Sequence, residues 1–272
     1  MSLSTLLPEL GRRTLVMGIL NVTPDSFSDG GLFADAPGAM AQAARLAAEG
    51  AALIDVGGES TRPGHAPVEA EEEQARVLPV IRALAPRLPV PISIDTYKAA
   101  TAQAALAAGA AIVNDVWGLR REPDIARVAA DHGAPVIAMH NRERAEPGLD
   151  IVADILRVFE ESLGIARRAG VPDGDVVLDP GIGFGKTFEQ NLEALRRLPE
   201  IRALGFPVLV GASRKSMLGR LAGRETRPDE RLPGSLAVHV LATRDGADIV
   251  RVHDVAAHVD ALRVADALRV VR

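Results

Sequence analysis

The stretch Gly109-Ala110-Ala111-Ile112-Val113-Asn114 decides the fold, because the chain repeats it. Copies stand at Gly50-Ala51-Ala52-Leu53-Ile54-Asp55 and Gly246-Ala247-Asp248-Ile249-Val250-Arg251, with looser ones from Gly133 to His140 and from Gly174 to Asp179. Each glycine follows an Ala-rich amphipathic segment and is expected to cap a helix. The apolar residues after it are expected to form a short buried strand, and the polar residue ends that strand. The repeat is therefore one αβ unit, which implies a parallel sheet.

Working outward, eight such strands are expected, at 15–20, 53–56, 92–94, 112–113, 136–139, 176–178, 208–210 and 249–252. Helical patterns follow them at 38–49, 69–85, 98–108, 123–131, 149–169, 188–198, 234–244 and 256–269. Eight βα units in 272 residues imply an α/β fold: a single-domain (β/α)₈ barrel over residues 1–272. A doubly wound open sheet is the alternative. Long loops follow strand 1 (21–37) and strand 2 (57–67). A third, 213–233, carries a candidate extra helix at 216–221. In a barrel all three lie on the C-terminal face, where function concentrates.

Composition narrows the function classes. Net charge is −5 and pI about 5.7, which argues against nucleic acid or an anionic membrane as partner. No apolar run reaches the ~20 residues of a membrane span, and residues 1–13 lack a signal-peptide layout. A cytoplasmic location is expected. With no cysteine, disulfides and thiolate metal sites are excluded. Of 31 basic residues only Lys98, Lys186 and Lys215 are lysines, a weak hint that a compact ammonium is wanted there.

The residues at the strand ends should converge on one mouth. They are Asn21, Asp55 followed by Glu59-Ser60-Thr61-Arg62, Asp95, Asn114-Asp115, Met139-His140-Asn141, Asp179, Ser213-Arg214-Lys215-Ser216, Arg251 and His253. Strand 6 runs into Asp179-Pro180-Gly181-Ile182-Gly183-Phe184-Gly185-Lys186-Thr187, a carboxylate left open by alternating glycines. A phosphate loop would need glycine at Pro180. A dinucleotide fingerprint would need its third glycine one place later than Gly185. Asp95, Asn114, Asp179 and Lys215 suit the amidine edge of a planar heterocycle. Asn21, Arg62, Arg251 and His253 suit phosphate oxygens, with Mg²⁺ shared between Asn21 and a substrate phosphate. Met139 is expected to wall the pocket. Asp55 and Asp115 are expected to bond backbone at the barrel rim. Lys186 reads as a solvated helix-start residue, and His65, His132, His239 and His258 as surface or loop histidines. His140 is either a ligand or a satisfied neighbour of the site.

These motifs resemble the dihydropteroate synthase family. The resemblance rests on Met17–Gly31, Asp55–Gly64, Ile92–Thr96, Asn114-Asp115, Asp179–Thr187, Gly211–Ser216 and Arg251–Asp254, which cover nearly the whole chain in order. It implies condensation of 6-hydroxymethyl-7,8-dihydropterin pyrophosphate with p-aminobenzoate, releasing pyrophosphate. It implies that Asp95, Asn114, Met139, Asp179 and Lys215 hold the pterin. Asn21, Arg251 and His253 would take the pyrophosphate and Mg²⁺. Thr61, Arg62, Pro63, Phe184, Lys215 and Ser216 would border the p-aminobenzoate pocket, with Phe27 and Asp29 on the first loop. Asp29, Lys215, Arg251 and His253 would carry the catalytic work. A homodimer is also implied. The alternatives are a methyltetrahydrofolate methyltransferase and a non-catalytic pterin-binding paralogue. The loops after strands 1 and 2 are expected to close over the pterin pyrophosphate before p-aminobenzoate binds.

Overall fold

The computed structural model describes residues 1–22, 36–59 and 67–268. In chain order the elements are α1 (Leu3–Leu6), β1 (Leu15–Asn21), α2 (Ala36–Ala48), β2 (Leu53–Gly57), α3 (Ala70–Leu84), β3 (Ile92–Asp95), α4 (Ala99–Ala107) and β4 (Ile112–Asp115). There follow α5 (Asp124–Asp131), β5 (Val136–Met139), α6 (Ile151–Ala169), β6 (Val176–Asp179), α7 (Phe188–Arg196), α8 (Leu198–Arg202), β7 (Leu209–Val210), α9 (Ser216–Leu221), α10 (Leu232–Arg244), β8 (Ile249–Val252) and α11 (Val255–Leu268). All strand pairs are parallel, in the order β6-β5-β4-β3-β2-β1-β8-β7. A parallel bridge between Leu178 and Val208 joins the two ends, so the sheet closes into a (β/α)₈ barrel.

The repeat behaves as its chemistry requires at four of its five copies. Gly50, Gly109, Gly133 and Gly246 all have positive φ at helix ends, a conformation that costs any residue with a Cβ. Gly174 is a correction. The helix before it, α6, is capped by Gly170 at φ 93°, and Gly174 lies in a 3₁₀ turn at Asp173–Asp175. Two further expectations change in detail. The pattern at 188–198 splits into α7 and α8, with Pro199 opening the second helix. Strand 7 is reduced to Leu209–Val210, Val208 contributing only the closing bridge.

Two apolar layers hold the barrel. Leu15, Met17, Leu53, Ile112, Ile137, Val177, Leu209 and Ile249 fill its interior together with Leu3 and Leu7. The unanticipated helix α1 thus plugs the N-terminal end. Its Leu3 N–H is tied to Asp175 at 2.6 Å. The alternate strand residues, among them Val16, Ile54, Val113 and Val250, pack outward under the helices. With the lower end sealed by leucine, polar strand residues have room only at the C-terminal mouth.

Candidate active site

The floor of the mouth is a hydrogen-bonded cluster from four strands. Asp55, in the middle of β2 and level with Ser93 of β3, is fully buried. Its Oδ1 accepts from Ser93 Oγ at 2.5 Å. Its Oδ2 accepts from Asn114 Nδ2 at 3.1 Å and from Arg251 Nε at 2.6 Å. Arg251 Nη2 reaches Asp95 Oδ2 at 2.7 Å. The expectation that Asp55 bonds backbone at the rim is corrected: it organises three side chains of the floor. Its neighbour in type, Asp115, does bond backbone, accepting from Trp117 N–H and Leu119 N–H at 2.7 Å each. Burial raises Asp115 to about 6, against the pull of those two bonds.

Asp95 is the unfinished member. Its Oδ1 is buried and, among the described residues, has no hydrogen-bond partner. An orphaned carboxylate oxygen in a mouth is a place for an external donor. Burial raises Asp95, Arg251 pulls it down, and Asp55 pushes it up again, leaving it at about 7. Burial sets the direction, and a guanidinium shared between two carboxylates does not cancel it.

The opposite side of the mouth is built by the loop after β6. Asp179 is buried and accepts from Gly181 N–H at 2.7 Å. Burial raises it, while Lys215, Lys186 and Arg251 oppose the rise. Gly181 has φ 66°, and a Cβ there would lie 1.9 Å from the His140 carbonyl oxygen. Only glycine lets this loop settle onto the end of β5. Lys215 donates to the carbonyl of Ile182 and lies 4.4 Å over the Phe184 ring. Burial brings Lys215 down to about 7 despite Asp179. The residue before it, Arg214, has φ 59° and a two-pronged ion pair to Asp254 at 2.5 and 3.0 Å. That pair ties the Lys215 loop to the end of β8. Met139, Tyr97 and Val116, with Trp117 and Phe184 packed on them, make an apolar wall.

The remaining expected site residues fall into two groups. Asn21 is half-buried at the end of β1, His253 Nδ1 lies 3.0 Å from Ser213 Oγ, and Ser216 is exposed at the start of α9. Phe27, Asp29, Thr61, Arg62, Pro63 and His65 lie outside the described residues, as does most of both long loops. Arg251, grouped by sequence with the phosphate ligands, is placed between the two floor carboxylates.

Two further expectations are corrected, and one unassigned residue finds its place. Lys186 is not solvated: its ammonium is turned under the glycine loop, on Gly181, Phe184 and His140. His239 and His258 are not surface residues but wholly buried. His239 Nε2 accepts from Ala212 N–H at 3.0 Å, and its Nδ1 meets His258 Nε2 at 2.9 Å. His258 Nδ1 then bonds the Asp254 carbonyl at 2.6 Å. The backbone donor fixes both tautomers, and the pair links the loops after β7 and β8. Finally Lys98, unassigned by sequence, joins Glu59 and Glu73 in a buried ion-pair set. His132 is a surface residue, bonded to Gln103 and its own helix.

Comparison with known proteins narrows what this mouth is. The profile of the pterin-binding enzyme family matches residues 17–253. The dihydropteroate synthase of Clostridium beijerinckii is 48% identical over 258 residues, 94% of this chain and 95% of that protein. The dihydropteroate synthase of Synechocystis is 49% identical over 264 residues, 95% of this chain and 91% of that protein. Among solved structures, the Clostridium difficile dihydropteroate synthase determined in the presence of pteroic acid superposes with TM-score 0.93 and 50% identity, covering 96% of this chain and 99% of that one. The Xanthomonas albilineans enzyme in complex with 7,8-dihydropteroate gives 0.86 and 46%, covering 96% and 95%. The chain belongs to the pterin-binding enzyme family. Within that family it groups with the dihydropteroate synthases, transferases of folate biosynthesis.

Proposed function

We propose that this chain joins 6-hydroxymethyl-7,8-dihydropterin pyrophosphate to p-aminobenzoate, forming 7,8-dihydropteroate and pyrophosphate. The observation that carries the residue roles is the pair of buried carboxylates, Asp95 with its orphaned oxygen and Asp179 across the mouth. A pterin presents an amino group and ring N–H groups along one edge. Asp95, Asn114 and Asp179 supply acceptors for that edge, and Lys215 a donor for a ring nitrogen or carbonyl. The wall of Met139 and Phe184 takes the ring faces. Arg251 fixes Asp55 and Asp95, and the 22% of its side chain that stays exposed is left for a pyrophosphate oxygen. His253 follows directly after β8, against Ser213. Ser216 and Phe184 border p-aminobenzoate; Thr61, Arg62 and Pro63, which the family resemblance assigns to the same pocket, lie outside the described residues.

An arylamine is already neutral near pH 7, so the amine needs no strong base. The reduced pterin can push electrons into its carbon–oxygen bond as pyrophosphate departs. What remains for the protein is to stabilise the departing charge with Arg251 and His253 and to keep water from the cationic carbon. Among the described residues no three His, Asp or Glu side chains gather as a metal site. Asn21 offers a single neutral oxygen, which suits a Mg²⁺ ion that arrives with substrate phosphates. Bound there, the ion would spread the negative charge of the leaving group.

This reading includes a cytoplasmic homodimer; light scattering on the eluted protein checks the dimer. No helix among the described residues is long and apolar enough to cross a membrane. The activity is tested by incubating purified protein with the pterin pyrophosphate, p-aminobenzoate and Mg²⁺. Sustained pyrophosphate release is expected only when all three are present. Absence of dihydropteroate under those conditions would overturn the proposal.

A further inference from the structure

Lys186 stands one residue before Thr187, which caps α7 through a reciprocal bond pair with Gln190. A lysine at that position would ordinarily extend into water. Here its Nζ meets His140 Nδ1 at 2.7 Å, Gly181 O at 2.9 Å and Phe184 O at 3.1 Å. An ammonium has three hydrogens, and each of these three acceptors can take one. Only the charged form satisfies all three at once.

The imidazole is set with equal economy. His140 is fully buried. An ammonium cannot accept, so His140 Nδ1 must be the acceptor and Nε2 must carry the proton. That proton points to Asp154 Oδ2 at 3.0 Å. Asp154 is held in turn by Arg142 at 2.8 Å and Arg157 at 2.7 Å. Neutral His140 therefore joins a buried carboxylate on α6 to a buried ammonium under the mouth.

The polar backbone of the loop is divided between two lysines. The carbonyls of Gly181 and Phe184 go to Lys186, and that of Ile182 goes to Lys215. The N–H of Gly183 is taken by Asn191 at 2.5 Å and that of Gly181 by Asp179. The loop has no strand or helix ladder to fix it, so these bonds set where Asp179 and Phe184 stand. Gly185 tightens the arrangement, since a Cβ there would lie 2.2 Å from the Arg142 carbonyl oxygen.

We propose that Lys186, oriented by His140 and Asp154, is a positioning residue for the pterin site. It locks the Asp179–Phe184 loop in its ligand-accepting shape and supplies a second cation, besides Lys215, that keeps Asp179 ionised. The inference rests on the dihydropteroate synthase reading, because it assumes that a pterin is what Asp179 receives. Burial draws Lys186 down to about 7, and Asp179 draws it back up. The two groups thus support each other's charged forms.

The experiment measures binding of 6-hydroxymethylpterin, which lacks the pyrophosphate, by calorimetry across pH, with a thermal melt for each variant. Wild type must bind, and a wild type that does not removes both the reading and this inference. Lys186→Met is expected to weaken binding at least ~10-fold. The charged groups facing Asp179 are Lys215, Lys186 and Arg251. With Lys186 gone, the loss of affinity at low pH should begin roughly one pH unit higher. His140→Gln keeps an acceptor for Lys186 and a donor for Asp154, and should bind within ~3-fold of wild type. His140→Leu keeps neither, and should follow Lys186→Met. Should Lys186→Met not fold, the two His140 variants decide alone. If Lys186→Met lowers only the melting temperature, with affinity and acid limb unchanged, Lys186 is a structural brace. If both His140 variants bind alike, the imidazole does not orient it; either result overturns the proposal.

Discussion

The two sides of the mouth solve opposite electrostatic problems. On the β2–β4 side, the carboxylates of Asp55 and Asp95 share one guanidinium, Arg251. Acid is in excess there, and burial pushes Asp95 up to about 7. On the β5–β7 side, the ammoniums of Lys186 and Lys215 surround the single carboxylate of Asp179. Base is in excess, and burial pushes both lysines down to about 7. The first side can accept hydrogen bonds from a ligand; the second can also donate them. A heterocycle with N–H groups on one edge and a carbonyl or ring nitrogen on another matches both sides only in one orientation. The difference therefore orients a ligand as well as binding it.

The comparison can be broken most severely at Arg251. Arg251→Ala leaves Asp55 and Asp95 buried without their cation, which typically costs ~3–5 kcal/mol. Chemical denaturation should show a loss of that order, and adding Asp95→Asn should recover part of it. A loss under ~1 kcal/mol, the size of a surface pair, would mean that the floor carboxylates do not depend on Arg251.

A pH series sharpens the contrast. His140, on the base-rich side, has its folded pKa lowered to about 3, first by burial and then by Lys186. The unfolded chain takes up that proton at about 6.5. Its contribution to stability is thus present above that value and lost as pH falls toward the folded one. Asp95, on the acid-rich side, has a raised folded pKa. Its contribution is fully present below about 4 and is lost as pH rises through about 7. The two slopes oppose each other, each by up to ~1.4 kcal/mol per pH unit. In denaturation between roughly pH 4.5 and 6.5, His140→Gln should lose less stability on acidification than wild type, and Asp95→Asn should lose more. Identical slopes for all three proteins would contradict the assignment of opposite charge excess.

The smallest effect is expected at Ser216, exposed at the start of α9. Ser216→Ala should leave stability within ~0.5 kcal/mol and pterin affinity unchanged, altering only KM for p-aminobenzoate. A tenfold loss of pterin affinity would place Ser216 in the floor instead.

Much of the fold is legible in the sequence because local chemistry and architecture agree. The Gly-Ala repeat marks helix end, turn and strand in six residues, so the barrel and its strand-end residues follow from one pattern. Side-chain direction is less legible. Asp55 stands mid-strand in β2 and Asp115 ends β4, and one faces three side chains while the other faces two backbone N–H groups. That choice depends on Arg251, almost two hundred residues away, and no local spacing reveals it. The position of Lys186 before a helix cap implies solvent, whereas the bend at Gly181, Gly183 and Gly185 turns it inward. Lysine scarcity is the better signal. All three lysines in this arginine-rich chain lie in ion-pair or hydrogen-bond networks at the mouth. His239 and His258 escape a residue-by-residue reading because paired imidazoles bury each other's polarity.

The central claim is that the strand-end carboxylates receive a pterin, and Asp179 is where it is tested most directly. Asp179→Asn keeps the size and the bond from Gly181 N–H but replaces one acceptor with a donor facing the ligand's donors. A lost charged hydrogen bond is worth at least ~1.5 kcal/mol. Calorimetric titration with 6-hydroxymethylpterin at neutral pH should show the folded variant binding at least ~10-fold more weakly than wild type. Equal affinity in a variant that melts as wild type does would contradict the claim and move the pterin's anchor away from β6.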